Sequence, residues 1–280
     1  MTHDSQTAAP LRQPVLFIPH GGGPCFFMDW PKTWDNMAAY LRGISQTLPQ
    51  KPDAILIVSG HWETPTPTLT AASNPPLIYD YHGFPPHTYH LQYPAPGAPA
   101  LAAAIAQRLT DAGITATTDP TRGWDHGVFI PLMVAFEKAD IPVIELSLQE
   151  KLDPAFHIRM GQALAPLRDE NVLIIGAGMS YHNLRHFMAD TPDATYEAER
   201  FDTWLAHAAC LPEQERNAAL TQWHTAPTAR FCHPREEHLL PLMVVAGAAG
   251  PDQGHRTYSE AVMGKALSGF TFGFPFGQGT

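Results

Sequence analysis

The sequence is poor in cysteine and in basic charge. Its 280 residues contain three cysteines, Cys25, Cys210 and Cys232, an odd number without a CxxC pair. Such a set argues against a disulfide framework and predicts a reducing compartment, so we expect a cytoplasmic protein. Acidic residues outnumber Lys and Arg by 27 to 17, which gives a net charge of −10. Because phosphate binding requires a basic face, nucleic acid is not an expected partner.

Long apolar runs and several common catalytic motifs are also missing. No uncharged apolar stretch approaches the ~20 residues that a membrane helix requires, so we expect no contact with a membrane. The polar start of the chain lacks the basic and apolar regions of a signal peptide. The patterns GxSxG, HExxH, the Walker loop and a GxGxxG after the first strand do not occur. These absences argue against a serine-hydrolase elbow, an HExxH zinc site and the common nucleotide-binding loops.

Short apolar runs alternate with helical patterns along the chain. The apolar runs predict strands at residues 15–18, 54–58, 114–118, 143–148 and 172–175. Helices are predicted at residues 99–112, 154–167, 195–209 and 239–249. This alternation is typical of an α/β fold with a mainly parallel sheet flanked by helices on both faces. Nothing marks a boundary between two domains, so we expect a flexible segment at 1–13 and a single domain at 14–280.

The segment 64–97 combines proline with aromatic residues. Its eight prolines exclude a regular helix. Its tyrosines, phenylalanine and histidines make it too aromatic for a disordered linker. We predict an ordered loop over the edge of the sheet, where it lines a pocket or a contact between subunits of a homo-oligomer.

Fifteen histidines are an unusual number, and two of them directly follow predicted strands. His20 comes after the run 15–18 and precedes three glycines, and His61 comes after the run 54–58. Because ligands of parallel sheets gather outside the carboxyl ends of the strands, both imidazoles are expected at one edge, where they could share a metal ion. His126, His182, His233 and His238 stand at similar turns. A Pro-Leu-Met-Val sequence that follows shortly after His126 and His238 predicts, in both places, a helix with proline near its first turn.

The other histidines carry a simpler expectation. A histidine in a loop is more often a surface or hydrogen-bonding residue than a metal ligand. That expectation covers nine residues: His3, His82, His87, His90, His157, His186, His207, His224 and His255.

Six short motifs occur in order along the chain. They are HGGGP at 20–24, SGHWE at 59–63, YPAPG at 93–97, WDHG at 124–127, HNL at 182–184 and EHLLP at 237–241. This set resembles the class III extradiol ring-cleavage dioxygenases, in particular the DOPA-dioxygenase type related to the LigB catalytic subunit. The resemblance runs from about residue 14 to about residue 275. It implies a single α/β domain with non-haem iron(II) at the sheet edge, a position that zinc(II) also occupies, and cleavage of a catechol-type or gallate-like ring by O₂ next to its two hydroxyls.

The resemblance also implies roles for particular residues. His20 and His61 supply two metal ligands, and the third comes from Glu237 or His238. We favour His238, while a carboxylate from Glu237 would better balance the charge of iron(II). His126 and His182 are the candidates for the general base and acid, because histidine titrates near neutral pH. His182 is also a candidate for a further ligand.

Other functions and partners are kept as alternatives. A zinc hydrolase would use clustered histidines to hold a metal-bound hydroxide. A member of the same fold without catalytic activity would bind a ligand or a partner. A substrate carboxylate would need a cation, for which three arginines lie near the motifs: Arg122, Arg185 and Arg235. Salt bridges or surface solvation are the simpler roles for each of them.

Overall fold

One mixed β-sheet forms the centre of the protein. The computed structural model describes residues 12–30, 32–188 and 192–273. Within those ranges the strands are β1 (Val15–Pro19), β2 (Ala54–Thr64), β3 (Thr68–Thr70), β4 (Thr117–Asp119), β5 (Val143–Gln149), β6 (Val172–Gly178), β7 (Gly254–Val262) and β8 (Lys265–Phe272). Their order across the sheet is β4-β3-β5-β2-β6-β1-β8-β7. The central pairs β2/β5, β2/β6 and β1/β6 are parallel, so their carboxyl ends lie at the same edge.

Helices follow most of the strands. In the described part of the chain they are α1 (Asp35–Thr47), α2 (Pro99–Asp111), α3 (His126–Ala135), α4 (Pro154–Leu164), α5 (Leu184–Phe187), α6 (Pro192–Ala209), α7 (Glu213–Thr221), α8 (Ala229–Cys232) and α9 (Leu240–Ala249). Short 3₁₀ turns lie at Cys25–Phe27, Pro86–His90, Ala165–Arg168 and Trp223–Thr225. Helix α3 packs on α1 and on β2, while α9 packs on α4, α7 and β6, so helices cover the sheet. None of the described helices has both the length and the apolar character needed to cross a bilayer.

Helices α4 and α9 approach each other so closely that only glycine fits at their contact. A β-carbon on Gly161 would lie 2.0 Å from the carbonyl oxygen of Val244, and one on Gly247 would lie 2.0 Å from that of Ile158. Both helices are apolar where they meet, and α9 is buried along its whole length. This close packing fixes α9 against the sheet and, with it, the turn that carries His238.

The predicted α/β fold with a mainly parallel sheet is confirmed. Strands β1, β2, β5 and β6 and helices α2, α4, α6 and α9 lie where the sequence places them, within a few residues at their ends. The short strand expected at 114–118 is shifted to Thr117–Asp119. The antiparallel hairpin of β7 and β8 is missing from the prediction, as are α1 and α7. Polar and apolar residues alternate in β7, so this strand contains no apolar run that would predict it. The hairpin joins the sheet through the pairing of β8 with β1.

Two local predictions are wrong. Pro131 is not near the first turn of a helix, because α3 begins at His126 and contains Pro131 in its interior. Pro241 does lie at the start of α9, as expected. The chain also does not turn at the end of the run 54–58, because β2 continues to Thr64.

The extension of β2 contains a wide bulge around His61. Val58 pairs with Leu146 of β5 and Glu63 pairs with Leu148, so residues 59–62 stand opposite a single residue, Ser147. A bulge bends its strand and redirects side chains. His61 is thereby aimed toward the other histidines, although it lies within a strand.

The flexible segment expected at 1–13 lies outside the described residues except for its last two. Of these, Gln13 is buried, and its backbone N–H donates to the carbonyl oxygen of Arg168. The three cysteines are free, and burial raises the pKa of the Cys25 thiol. The cytoplasmic location, the single-domain boundary and self-association stay predictions.

Candidate metal centre

Five histidines meet at the carboxyl edge of the parallel strands. His20 directly follows β1, His61 lies in the bulge of β2, and His126 opens α3. His182 comes four residues after the end of β6, and His238 comes two residues before α9. The ring centroids of His20 and His61 are 5.0 Å apart, and those of His61 and His238 are 4.6 Å apart. Residues separated by more than 200 positions in the chain thus share one site.

Two glycines allow the turn at residues 237–238 to lie against the sheet. A β-carbon on Gly178, at the end of β6, would lie 2.2 Å from the carbonyl oxygen of His238. That oxygen accepts a hydrogen bond from the N–H of Met179. A β-carbon on Gly60 in β2 would lie 3.0 Å from the carbonyl oxygen of Glu237. Glycine at position 60 therefore makes room for the backbone of Glu237 and His238, and it does not line the cavity.

In all five histidines the Nδ1 atom faces a hydrogen-bond acceptor. The His20 Nδ1 lies 2.8 Å from the carbonyl oxygen of Gly21. The His126 Nδ1 lies 2.8 Å from Asp80 Oδ1, and the His61 Nδ1 lies 3.4 Å from Asp80 Oδ2.

The other two rings share one carboxylate oxygen. The Nδ1 atoms of His238 and His182 lie 3.0 and 3.2 Å from Glu237 Oε1. These two rings stack with centroids 3.4 Å apart. An acceptor at Nδ1 keeps the proton on that nitrogen and leaves the lone pair on Nε2.

The Nε2 atoms point inward, and two of them face each other. The Nε2 atoms of His61 and His238 are 3.1 Å apart. The Nε2 of His20 is buried and has no hydrogen-bond partner. Lone pairs held this close repel each other unless a cation or a proton lies between them. Two imidazole nitrogens each about 2.1 Å from one ion lie about 3 Å apart when they occupy neighbouring coordination positions.

Burial keeps these imidazoles neutral. It lowers the pKa of His61 to about 4, together with the neighbouring His126. It lowers the pKa of His20 and of His238 well below the usual value, and the surrounding histidines add to the effect. A metal ion requires neutral imidazole, so the three rings are ready to bind one at neutral pH. The side chains at this edge therefore fit a divalent cation.

Asp80 is a site residue that the sequence analysis missed. It lies in the proline-rich segment, where residues 80–82 and Phe84 line the cavity at the sheet edge while Thr68–Thr70 forms strand β3, and its Oδ1 also accepts from the backbone N–H of His126. Burial opposes ionisation of Asp80, but the hydrogen bonds from His126 and the electrostatic interaction with His126 and His61 outweigh it and lower the pKa of Asp80 to about 2. The tyrosines on both sides of Asp80 gave no signal of this role, since only the fold brings residues 80 and 126 together.

A second chain of hydrogen bonds supports the bulge. The backbone N–H of His61 donates to Ser59 Oγ at 3.1 Å, and that hydroxyl donates to Asp125 Oδ1 at 2.8 Å. Asp125 is buried and its Oδ2 lies 3.1 Å from the Arg122 guanidinium. The start of α3 and the bulge of β2 are thus tied together, which fixes His126 relative to His61.

The structure brings every predicted site residue together and separates them into two groups. The possible ligand atoms of His20, His61 and His126 lie within 4.8 Å of one another, and so do those of His182, Glu237 and His238. Glu237 lies at the Nδ1 edge of the His238 ring, whereas His61 lies at its Nε2 edge. Glu237 is thus placed to orient His238, and its buried Oε2 has no hydrogen-bond partner but lies 3.6 Å from Arg235 Nη1.

Comparison with known proteins identifies the family of this chain. Residues 14–272 match the family described as the catalytic LigB subunit of aromatic ring-opening dioxygenase. The 4,5-DOPA dioxygenase extradiol of Beta vulgaris is 40% identical over 92% of this chain and 96% of its own length. Dioxygenase tasH of Hapsidospora irregularis is 36% identical over 93% of this chain and 85% of its own.

A solved structure has the same fold. It is the crystal structure of the uncharacterized protein JW3007 from Escherichia coli K12, which is 30% identical to this chain. The two align with a TM-score of 0.75 over 94% of this chain and 100% of the other. The chain therefore belongs to the LigB family and is an extradiol ring-opening dioxygenase.

Proposed function

We propose that this enzyme is an iron(II) dioxygenase that opens a catechol-type ring, 3,4-dihydroxyphenyl or gallate-like, with O₂. Iron(II) would be held by His20, His61 and His238. The observation that carries this proposal is the pair of facing Nε2 atoms of His61 and His238, 3.1 Å apart, beside the unpartnered Nε2 of His20. Relatives named 4,5-DOPA dioxygenase extradiol support the 3,4-dihydroxyphenyl ring as the reacting group.

The three imidazoles leave room for substrate on one side. The cavity beside them is also lined by the glycines of the loop 21–23, which carry no side chains. When bound, iron(II) would bring a catechol and O₂ together and let electrons pass between them, which overcomes the slow direct reaction of O₂ with a catechol. Glu237 and Asp80 would hold His238 and His61 in the orientation that presents Nε2.

Proton transfer is assigned to His126 and His182, which both line the cavity. Each ring has a carboxylate at Nδ1, Asp80 for His126 and Glu237 for His182, and so each presents Nε2 to the substrate. Such a carboxylate orients the ring and stabilises its protonated form, as in other histidine bases. We assign His126 as the base that takes a proton from a catechol hydroxyl, and His182 as the acid that returns one.

The function is tested by anaerobic reconstitution with iron(II), followed by oxygen uptake with a panel of catechols. The expected result is one O₂ consumed per ring, with a yellow ring-opened product. The same protein loaded with zinc(II) and given esters and amides is the control for the hydrolase alternative. Hydrolysis by the zinc form without oxygen uptake by the iron form would contradict the proposal, and inertness in both would favour a binding role.

The two proton-transfer histidines are distinguished from ligands by metal content. His126→Ala should keep its iron and lose 10²–10⁴-fold in single-turnover rate, the typical effect of removing a general base. His182→Ala is measured in the same way. Loss of iron from either variant would move that residue into the ligand set, and an unchanged rate would remove it from the mechanism.

A further inference from the structure

The cavity in front of the histidines is lined by one polar and one apolar set of side chains. Its volume is about 430 Å³, which falls in the range that holds a drug-sized molecule and exceeds the needs of a bare catechol ring. The polar set consists mainly of the five histidines and Asp80. The apolar wall consists of aromatic and aliphatic side chains: Tyr81, Phe84, Met179, Leu184 and Phe187. A ring whose hydroxyls reach the histidines would therefore lay its substituent against this apolar wall.

No lysine or arginine lines the cavity. All 17 Lys and Arg residues of the chain fall within the ranges that the structure describes, and the cavity wall includes none of them. Asp80 brings a negative charge to the wall instead, and His82 contributes an exposed imidazole.

The three arginines near the sequence motifs are occupied or lie elsewhere. Arg235 holds both carboxylate oxygens of Glu63, each at 2.5 Å. Arg122 lies over the ring of Trp62 at 4.6 Å, in addition to its contact with Asp125. Arg185 is exposed and lies outside the wall. A carboxylate on the substrate would thus find no cationic partner in the wall, and where the apolar side chains cover it, its loss of water would be costly.

The apolar wall continues onto the protein surface at its outer end. Leu184 is 70% exposed although it lines the cavity, and Met188, at the end of the same short helix, is 68% exposed. Burying such side chains against an apolar group stabilises a complex by removing their surface from water.

We infer that the substrate of this enzyme carries an uncharged, apolar substituent on its dihydroxylated ring, such as an alkyl, alkenyl or aryl group. Catechols with a carboxylate or amino-acid side chain are poorer substrates. This inference rests on the proposed function, because it concerns the ring that the iron site would open. Among dihydroxylated rings, the inference selects those whose substituent packs against Leu184, Phe187 and Phe84.

A matched pair of catechols tests the inference. 4-Propylcatechol and 3-(3,4-dihydroxyphenyl)propanoate carry chains of the same length that differ in the terminal carboxylate. With the iron-reconstituted enzyme at pH 8, where an ordinary imidazole is neutral, we expect kcat/KM to be at least about tenfold higher for 4-propylcatechol. Equal or higher kcat/KM for the propanoate would overturn the inference and leave the proposed function intact. Ring opening of neither compound would overturn the proposed function and the inference with it.

A cation introduced at the mouth should change this preference. Leu184→Arg is expected to raise kcat/KM for the propanoate about fivefold relative to 4-propylcatechol, the upper range for an exposed ion pair. Met188→Arg is the matched control, because Met188 directly follows the same helix, is about equally exposed and does not line the cavity. An unchanged ratio in Leu184→Arg, or the same change in Met188→Arg, would show that the wall does not contact the substituent.

Discussion

Replacing Asp80 by asparagine tests how the site prepares its histidines. Asp80 accepts from His126 through Oδ1 at 2.8 Å and faces the Nδ1 of His61 through Oδ2 at 3.4 Å. Asparagine keeps one oxygen and replaces the other by an NH₂ group, so in either orientation one imidazole N–H faces another donor. If His61 loses its acceptor, the proton favours Nε2, which then cannot bind a cation.

The expected loss follows from the role of such outer carboxylates. Removing one typically weakens metal binding or activity by 10–100-fold, which is about 1.4–2.8 kcal/mol. Because Asp80 serves two rings, we expect Asp80→Asn to fall near the upper end. The pKa of about 2 means that Asp80 is ionised throughout the range in which binding can be measured.

The assay is a competitive titration of iron(II) or zinc(II) against a chelator of known affinity. Asp140→Asn is the control, since Asp140 pairs with Lys51 on the surface and is not part of the histidine site. Circular dichroism of both metal-free variants checks that the fold is retained. A metal affinity of Asp80→Asn within about twofold of the parent protein would refute the idea that Asp80 sets the orientation of His61 and His126.

Three further predictions follow from the same contacts. His238→Gln should lose stoichiometric metal, whereas Glu237→Gln should keep it with affinity weakened about tenfold; loss of metal from Glu237→Gln alone would make the carboxylate the third ligand. Gly178→Ala should displace the turn that carries His238 and weaken metal binding at least about tenfold, because the new β-carbon would lie 2.2 Å from the carbonyl oxygen of His238. Gly60→Ala, whose β-carbon would lie 3.0 Å from the carbonyl oxygen of Glu237, should have a much smaller effect. Equal effects of the two substitutions would argue that close contact with the turn is not the reason for glycine at position 178. The metal-free protein should lose up to about 3 kcal/mol of folding free energy through His157 as pH falls from 6.5 to 4, because burial lowers the pKa of His157 in the folded protein to about 4 and the unfolded chain binds the proton first. The urea midpoint of His157→Gln should therefore depend less steeply on pH than that of the parent protein. Parallel pH dependences of the two midpoints would contradict the prediction.

The fate of His157 shows what a local sequence pattern can and cannot predict. It was expected among the surface or hydrogen-bonding histidines, and it is fully buried with both ring nitrogens hydrogen-bonded. Its Nδ1 lies 2.7 Å from the carbonyl oxygen of Asp153, and its Nε2 accepts from the N–H of Gln149. The sequence pattern predicted that His157 forms hydrogen bonds. It could not predict that the side chain is buried, because this burial depends on the packing of α4 against β5.

The strands and the candidate ligands were accessible from the sequence for a physical reason. Strands β1 and β6 and the first part of β2 are buried on both faces, which makes them continuous apolar runs, while β5 is buried with polar residues among its apolar ones. Because such strands are parallel and share an edge, the position of His20 and His61 after them was sufficient to bring the two rings together. The motif resemblance supplied His238, which no strand pattern could place.

The elements that the sequence did not reveal depend on distant contacts. The hairpin β7–β8 is polar on its outer strand and is held by the pairing of β8 with β1. The bulge of β2 is held by Ser59 and Asp125, which are 66 residues apart. Asp80 and His126 are 46 residues apart. Each of these contacts is set by the completed fold, so a pattern within a short window cannot report it.

The most direct test of the account is anomalous diffraction at the iron edge from crystals of the iron(II)-loaded protein. We predict one peak about 2.1 Å from the Nε2 atoms of His20, His61 and His238. The carboxylates of Asp80 and Glu237 should lie beyond bonding distance, on the Nδ1 side of the rings. A peak bonded to Glu237 and His182, or no peak among the five histidines, would contradict the central claim.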